Sequence, residues 1–336
     1  MSFLAKSLKS IAIAVAMTAG ASAMAQNAIC YNCPVEWADW GTQIKNIKAD
    51  IGITVPPDNK NSGQSLAQLV AEKSNPVADF VYWGPTFAIQ GMKESVTTGY
   101  KPAKWDEIPA DMKAPNGEWF ATHSGTLGFM VNTKALNGKP IPQSWSDLLK
   151  PEYKGLIAYL DPTSAFVGYV GAVAINESLG GNFDNFGPAI DYFKKLKANN
   201  PIVPKVTSYS RLVSGEIGIL LDYDFAGYRA KYKDKADVEF VIPKEGTVAM
   251  PYVLSLVKNG PNAENARKVL DYAMSDKGQS MWANAYLRPV RKVEIPKDVS
   301  SKFLPAADYA RVKAVNFQKM AEVQQDFAKR YQREVR

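Results

Sequence analysis

Histidine and cysteine are scarce in this sequence, and their scarcity excludes several kinds of metal site. The 336 residues include one histidine, His123, and two cysteines, Cys30 and Cys33. These three residues cannot form a zinc site with four cysteine or histidine ligands, and a site with two histidines is equally excluded. A lone histidine is usually structural, although His123 could still act as a single ligand or as a base.

Serine hydrolase chemistry has little support in the sequence. No Gly-x-Ser-x-Gly motif occurs, although many hydrolases place their nucleophile in such a turn. A catalytic pair would need Ser164 to meet His123 in the folded chain. We therefore expect no enzymatic activity. A secreted hydrolase remains only as an alternative function.

The two cysteines are spaced Cys-x-x-Cys, at Cys30 and Cys33. In an oxidising compartment, such a pair is expected to form a disulfide. A thiol redox protein is the alternative, but a redox centre of the thioredoxin type needs a helix that begins at the first cysteine. The residues from Ile29 to Cys33 are instead typical of a strand that stops at Pro34, so we expect a disulfide or an inert pair.

Long basic runs, internal repeats and low-complexity linkers are also missing. The formal charge is +7, but the lysines are dispersed through the chain, so we do not expect nucleic acid as a partner. The composition is 46% hydrophobic and 22% charged, which is ordinary for a globular protein. A chain of this length is large enough for two domains.

The N-terminus has the anatomy of a cleaved secretory signal. Lys6 and Lys9 precede the short apolar run Ile11 to Met17, and small residues follow up to Ala25. We expect cleavage after Ala25, or alternatively after Ala23. The apolar run is too short for a permanent membrane anchor. The sequence therefore predicts a soluble protein that is exported to the periplasm.

After this segment, strands alternate with helices, which is typical of an α/β fold with a parallel sheet. Trp37 to Ile51 is predicted as a helix because its apolar residues recur at 3.6-residue spacing. A strand from Ala78 to Trp83 ends at Gly84-Pro85. Ligands of such folds bind beyond the carboxyl ends of the strands. Tyr82, Trp83 and Gly84 lie at this strand end and are therefore candidate ligand contacts.

The most informative stretch runs from Leu160 to Gly171. A buried strand up to Leu160 is followed by Asp-Pro-Thr-Ser and then by a helix predicted over residues 165–179. The first backbone N–H groups of that helix have no partner within it, and the helix dipole favours an anion there. Thr163 or Ser164 could instead simply cap the helix.

A second candidate site follows the predicted strand from Ile217 to Leu221. Asp222, Tyr223 and Asp224 stand at its carboxyl end. Two carboxylates and a phenol could bind an amine or a metal ion. We expect Asp224 to cap the next helix, and Asp222 or Tyr223 to contact a ligand.

Five short motifs, taken in order along the chain, resemble those of the extracellular solute-binding proteins of bacterial ABC importers. The branch is the one that includes ferric-iron, polyamine, thiamine and 2-aminoethylphosphonate binders. The motifs are Asn75-Pro-Val-Ala-Asp79, Ser214-Gly-Glu-Ile217, Asn262-Ala-Glu-Asn-Ala266, Ser275-Asp-Lys-Gly-Gln279 and Arg288-Pro-Val-Arg291.

The resemblance implies a two-lobed periplasmic-binding-protein fold of type II, in which crossing strands form the hinge and the lobes close on a ligand. We predict a signal peptide over residues 1–25, a first lobe of residues 26–126 and 251–336, and a second lobe of residues 127–250. We expect a monomer without a cofactor or metal. It would capture a small molecule and deliver it to the transmembrane subunits of an ABC permease.

Carried over by position, the resemblance also assigns the ligand-binding cleft, which includes the loop after Val35. The predicted cleft residues are Tyr82, Trp83, Gly84, Thr126, Thr163, Ser164, Ala165, Asp222, Tyr223 and Tyr252.

A phosphonate or phosphate zwitterion such as 2-aminoethylphosphonate is the first hypothesis for the ligand. Its anion would lie at the start of the helix after Ser164, and its amine would lie on Asp222. A polyamine is the second hypothesis, because acidic and aromatic residues are available. Ferric iron is the third, because the adjacent tyrosines of ferric binders are missing here, although Asp222, Tyr223 and Tyr228 could supply hard oxygen ligands.

Overall fold

The computed structural model describes residues 27–336. The predicted signal peptide, residues 1–25, lies outside the described residues. Among the helices of the described part, none is long and apolar enough to cross a membrane.

The described chain folds into a mixed α/β structure. Its helices are α1 (Trp40–Ile51), α2 (Ser62–Ala71), α3 (Pro85–Lys93), α4 (Phe166–Ser178), α5 (Gly187–Leu196), α6 (Tyr209–Val213), α7 (Asp224–Tyr228), α8 (Ala263–Met274), α9 (Asp276–Asn284), α10 (Lys297–Ser300), α11 (Ala306–Tyr309) and α12 (Phe317–Glu334). Its strands are β1 (Cys30–Tyr31), β2 (Phe80–Trp83), β3 (Thr97–Thr98), β4 (Phe120–Asn132), β5 (Ile157–Tyr159), β6 (Ile219–Tyr223), β7 (Val238–Val241), β8 (Thr247–Val257), β9 (Arg288–Pro289) and β10 (Val312–Lys313).

Two long strands, β4 and β8, connect the two halves of the molecule. β4 pairs with β8 as far as Thr126, which lies opposite Ala249. From Leu127 onward, β4 pairs with β6, and β6 in turn pairs with β5. In the other direction, β8 pairs with β2 and β2 with β1. This arrangement, two sheets that share a pair of crossing strands, confirms the predicted two-lobed fold.

The sheet is mixed, and the prediction of a parallel sheet was wrong in this respect. The β1–β2 and β5–β6 pairs are parallel, whereas β4 runs antiparallel to both β8 and β6. The physical reason is that the chain crosses between the lobes in one direction through β4 and returns through β8. The short strands of each half, which alternate with helices, lie beside β4 and β8.

The division into lobes at residues 126/127 and 250/251 stays a prediction, and α12 is the element that it fits least well. The amide of Gln324 in α12 accepts a hydrogen bond of 2.9 Å from Gln90 in α3. Farther along α12, the hydroxyl of Tyr331 lies 2.8 Å from that of Tyr159 in β5. The C-terminal helix therefore contacts both halves of the molecule.

The first predicted helix has different bounds in the structure. It begins at Trp40 rather than Trp37, because Ala38 and Asp39 both have left-handed backbone conformations. Thr54, which follows this helix, makes only a single β-bridge, with Asn27. The C-terminal region beyond residue 306 consists of α11, β10 and α12 in succession.

Several motifs that carried the resemblance hold the first lobe together. The buried carboxylate of Asp79 accepts hydrogen bonds from the backbone N–H groups of Ile29 and Asn262, at 2.7 and 2.5 Å. The guanidinium of Arg291 donates to the carbonyl of Met274 at 2.6 Å and to Asp276 at 2.7 Å. Distant motifs thus meet as hydrogen-bonded partners within the scaffold.

Candidate ligand-binding site between the lobes

The two lobes contact each other directly across the cleft. The side-chain amide of Asn61 donates to the carbonyl of Lys205 at 2.7 Å. At the rim, the hydroxyl of Ser210 donates to the carboxylate of Glu36 at 2.7 Å, and Arg229 donates to the backbone carbonyl of Glu36 at 2.8 Å. These bonds join residues far apart in the chain, and they hold the cleft in a closed arrangement.

A pocket with about 410 Å³ of empty space, part of it open to solvent, lies between the lobes. Its lining residues from the first lobe and the hinge are Asn32, Pro34, Trp37, Asn59, Lys60, Asn61, Ser62 and Tyr252. Those from the second lobe are Leu160, Ala165, Phe166, Val167, Val206 and Thr207. Of the ten predicted cleft residues, Ala165 and Tyr252 are in this lining.

The start of α4 forms the wall on the second lobe. Ala165 is the residue before the helix, and Phe166 and Val167 are its first two residues. Neither Thr163 nor Ser164 caps the helix with its side chain, so the simple capping interpretation is wrong. The N–H groups of a first helical turn have no acceptor within the helix. The pocket is therefore bounded by a helix end that favours negative charge.

The Asp161-Pro-Thr-Ser turn before α4 is held from within. Asp161 is buried, and one of its carboxylate oxygens accepts from both the N–H and the hydroxyl of Thr163, at 2.9 and 2.7 Å. Burial raises the pKa of Asp161, but these two bonds and the neighbouring Arg336 outweigh it and lower the pKa overall. Thr163 is thus occupied within its own turn, and Ser164 faces Asn61 and Gly63 of the first lobe.

The start of α2 forms the facing wall on the first lobe. Asn61 caps α2 with its side chain, and Gln64 completes a capping box by accepting the N–H of Asn61. Lys60 reaches the pocket beside this cap, with its ammonium 2.5 Å from Asp58 and 4.2 Å from the ring centre of Tyr31. Two helix N-termini and one lysine therefore surround the same space, and this arrangement favours an anion.

Trp37, in the pocket lining, contacts a buried carboxylate that lies behind it. Trp37 lies in the pocket lining, and its indole N–H donates to Asp222 at 3.3 Å. Asp222 is 1% exposed and has no salt-bridge partner within the part of the chain that the structure describes. Burial raises its pKa to about 6, although the N–H donors of Tyr223 and Trp37 act in the opposite direction. A buried carboxylate in this state would gain from a ligand cation.

Three predicted tyrosines surround this carboxylate and tryptophan. The ring of Trp37 lies 4.5 Å from that of Tyr252 and 6.0 Å from those of Tyr82 and Tyr223, centre to centre. Burial raises the pKa of each of these tyrosines well above its usual value, so all three are neutral phenols. Tyr223 and Tyr82 lie behind Trp37, while Tyr252 reaches the pocket itself.

His123 belongs to the hinge interior. Its Nε2 shares a hydrogen bond of 2.7 Å with the hydroxyl of Tyr82. Burial lowers the pKa of His123 to about 3, so the ring is neutral. Ser164 has its hydrogen-bonding contact with Asn61 instead, and the structure does not pair it with His123.

The remaining predicted residues lie outside the pocket lining. Trp83 is fully buried in the first lobe, where its indole N–H donates to Ser255 at 3.1 Å. Thr126 is 3% exposed at the crossing of β4 and donates its backbone N–H to Asp224 at 3.0 Å. Gly84 precedes α3 and lies against the ring of Phe166. These residues position the site rather than line it.

Asp224 does not cap α7, as the sequence had suggested, but anchors a buried ion pair. It lies in the first turn of α7, and Tyr223 is the capping residue. Its carboxylate lies 2.5 Å from the guanidinium of Arg288 and accepts the hydroxyl of Tyr309 at 3.0 Å. Its charge is therefore compensated, unlike that of Asp222.

The disulfide lies beside the pocket. Cys30 and Cys33 are joined and enclose Asn32, which lines the pocket with a left-handed backbone at φ 66°. The side chain of Asn32 donates to the carbonyl of Tyr82 at 2.7 Å, and its N–H donates to Asp58. The short covalent ring thus supports a pocket wall.

Sequence reasoning missed part of the lining. Neither residues 59–63 nor Thr207 are among the residues predicted for the cleft. The available signal was the sequence Asn61-Ser-Gly-Gln64, since an N-cap residue followed three positions later by glutamine marks a helix start. Trp37 had been placed on a helix face, because its spacing from Trp40 and Ile44 fits one.

Two lobes that share crossing strands and close around a pocket between them define a periplasmic solute-binding protein. Sequence comparison agrees with this class. The profile of the family described as "Bacterial extracellular solute-binding protein" matches residues 75–323, and the chain belongs to this family.

Individual relatives are similar over most of their length. A protein of Haemophilus influenzae named only "Uncharacterized protein" is 31% identical over 271 residues, which are 76% of this chain and 74% of that protein. A Salmonella typhimurium protein named "Putative 2-aminoethylphosphonate-binding periplasmic protein" is 28% identical over 265 residues, 76% of this chain and 75% of the relative.

A solved structure shares the fold. The periplasmic binding protein AfuA of Actinobacillus pleuropneumoniae, determined with exogenous fructose-6-phosphate bound, has a TM-score of 0.77 and 24% sequence identity. The alignment covers 92% of this chain and 99% of AfuA. This chain is accordingly a solute-binding component of an ABC importer, a class that binds small molecules and interacts with permeases, and its relatives are transport proteins rather than enzymes.

Proposed function

We propose that this protein captures a small zwitterion with a phosphonate or phosphate group and an amine, such as 2-aminoethylphosphonate, and delivers it to its permease as a monomer. The observation that carries the proposal is the convergence of two helix N-termini, those of α2 and α4, on one pocket between the lobes. The name of the Salmonella relative supports the same ligand class.

The anionic half of the ligand would bind between the two lobes. The first-turn N–H groups of Phe166 and Val167 lie on one side, and Lys60, Asn61 and Ser62 lie on the other. The start of α4 favours an anion beside it, and the ammonium of Lys60, which is paired with Asp58 at 2.5 Å, lies on the facing wall. A phosphonate dianion satisfies more of these donors than a carboxylate does.

The amine would bind at the inner end of the pocket. Asp222 supplies a buried negative charge, and the faces of Trp37 and Tyr252 supply a cation–π environment. An ammonium near Asp222 would favour the ionised carboxylate and lower its pKa from about 6. The two halves of the site therefore recognise two opposite charges on one small molecule.

Titration calorimetry with 2-aminoethylphosphonate, ethylphosphonate and ethylamine tests both halves separately. The zwitterion should bind most tightly, and each fragment should bind more weakly. Ligand at a hundredfold excess over Kd should stabilise the protein by about 2.7 kcal/mol in thermal unfolding. If none of the three compounds binds, the ligand class is wrong.

Polyamines are the second candidate, favoured by the uncompensated charge of Asp222 next to aromatic rings. Tight binding of putrescine or spermidine without competition from ethylphosphonate would replace the first proposal with this one. Ferric iron belongs in the same panel, although the hydroxyl of Tyr228 is engaged with Tyr309 and with the N–H of Leu304. Within residues 27–336, no group of three or more carboxylate, histidine or cysteine side chains could hold a metal ion.

A further inference from the structure

Two glycines of the first lobe lie directly against the start of α4 in the second. Gly63, in the first turn of α2, donates its N–H to the carbonyl of Ser164 at 2.9 Å. A Cβ atom on Gly63 would lie 2.5 Å from that carbonyl oxygen and 3.1 Å from the Cα of Ser164. Both are backbone atoms, which cannot rotate away as a side chain can.

Gly84, just before α3, makes a similar contact with the start of α4. It precedes α3, and a Cβ atom there would lie 2.1 Å from Cγ of Phe166. Phe166 lines the pocket and is 1% exposed, so its ring is enclosed on its other sides. A methyl group on Gly84 and this ring position cannot coexist in the closed arrangement.

Neither position needs glycine for its own backbone conformation. Gly84 has φ −75° and ψ 149°, an extended conformation that any residue adopts. Gly63 lies within a helix and is not among the residues with positive φ. Alanine is more favourable than glycine in a helix. The contacts that a Cβ atom would violate are all with residues of the second lobe.

We infer that Gly63 and Gly84 are positions that determine closure: their missing side chains let the first turn of α4 reach the first lobe and seal the pocket. A Cβ atom at either position would hold the lobes apart and withdraw the N–H groups of α4 from the ligand. The inference rests on the two-lobed arrangement and does not depend on which solute binds.

Chemical crosslinking measures closure without a ligand. Glu36 and Ser210 meet across the rim, with 2.7 Å between Oε1 and Oγ, and both can be replaced by cysteine. A short bismaleimide should join them only when the lobes are closed, and Cys30 and Cys33 are protected as a disulfide. In this background, Gly63→Ala should lower the crosslinking rate at least tenfold. A rate within twofold of the parent would overturn the inference.

Gly171→Ala is the matched control. Gly171 also lies in a helix, and its added Cβ atom would meet only a side-chain carbon of Leu127 at 3.9 Å. This variant should crosslink at the parental rate. The melting temperature of Gly63→Ala should be equal to or above that of the parent, because alanine favours the helix. A lower melting temperature would assign Gly63 to folding rather than closure and would also overturn the inference.

A pair of substitutions, in which the second should compensate for the first, tests the role of Gly84 in closure. Gly84→Ala should slow crosslinking relative to the parent, and the double variant Gly84→Ala/Phe166→Ala removes the aromatic ring as well. The double variant should regain the parental rate, because the ring that the new methyl group would strike is gone. If the double variant remains as slow as Gly84→Ala alone, the contact with Phe166 does not determine closure. Repeating the series with 2-aminoethylphosphonate separates a failure of closure from a wrong ligand, since the rates without ligand test closure alone.

Discussion

The indole N–H of Trp37 donates to the carboxylate of Asp222 at 3.3 Å, and this bond spans the two lobes. Trp37 comes from the loop before α1, and Asp222 comes from β6. The same contact thus joins a residue of the pocket lining to a buried carboxylate of the second lobe.

Asp222→Asn should weaken binding of 2-aminoethylphosphonate roughly 10- to 100-fold at pH 7.5, because the amine loses a charged partner. Binding of ethylphosphonate, which has no amine, should be unchanged. The difference in affinity between wild type and variant should become smaller below about pH 6, where the wild-type carboxyl of Asp222 is protonated. Calorimetry between pH 5 and 8 measures this, and an equal loss at all pH values would contradict it.

The same variant should change how stability depends on pH without ligand. The folded-state pKa of Asp222 is about 6, above the usual 3.8, so the folded protein binds more protons than the unfolded chain between these values. The contribution of Asp222 to wild-type stability should therefore fall as pH rises from about 4 to 6, by on the order of 3 kcal/mol. Urea unfolding of wild type and Asp222→Asn across this range isolates the contribution, since His123 titrates in both. Parallel curves would refute the raised pKa.

Trp37→Phe should remove most of the ligand-induced change in tryptophan fluorescence. Trp37 lies between the lobes, so closure changes its surroundings more than those of a tryptophan inside one lobe. Trp145→Phe is the control, because Trp145 is fully buried in the second lobe and bonded to Gly246. Emission spectra during titration measure the effect. An unchanged ligand response in Trp37→Phe would mean that Trp37 does not report closure.

Lys60→Met should weaken 2-aminoethylphosphonate and ethylphosphonate to a similar extent, roughly tenfold, because both carry the anion that Lys60 faces. This pattern differs from that of Asp222→Asn, which should spare the amine-free compound. Lys45→Met, which alters an exposed lysine of α1, is the control and should leave both affinities unchanged. A loss confined to the zwitterion would remove Lys60 from the anion site.

Arg288→Met should destabilise the protein by on the order of 3 kcal/mol, because Asp224 would remain buried without its cation. The guanidinium also lies 4.6 Å from the ring centre of Phe303, a contact that would be lost as well. Lys134→Met removes an exposed pair with Asp237, of which the side chains are 80% and 50% exposed, and should cause no measurable change. Denaturant unfolding of both variants measures the difference. Equal free energies of unfolding for the two variants would mean that the buried carboxylate of Asp224 does not need the cation of Arg288.

The parts of the fold that could be predicted are those with a local pattern. The helix from Phe166 to Ser178 was predicted within one residue at each end, because an apolar run follows a turn of Asp-Pro-Thr-Ser. β4 changes its pairing partner between Thr126 and Leu127, next to the predicted lobe boundary. The five motifs indicated the family, although the residues around Asp79 and Arg291 hold the scaffold together rather than bind ligand.

The pocket lining was harder to predict from the sequence, because it depends on contacts between residues that are distant in the chain. Asn61 reaches Lys205 and Ser164 across more than a hundred residues, and no local pattern signals such a contact. Trp37 was assigned to a helix by its spacing, whereas the left-handed Asp39 starts the helix only at Trp40 and leaves Trp37 free to enter the cleft. Trp83 was predicted in the cleft because it ends a strand, but its side chain points into the first lobe.

By itself, the sequence determined the class of the protein, its two-lobed fold and the helix end at Phe166, because hydrophobic periodicity, turn residues and ordered motifs are local properties. Only the tertiary structure decided which side chains share the pocket, which carboxylate is paired and which is not, and which glycines lie between the lobes. Asp222 and Asp224 are two residues apart, yet one meets Arg288 and the other meets only N–H donors. The physical reason is that charge compensation and close approach depend on chain segments that folding brings together.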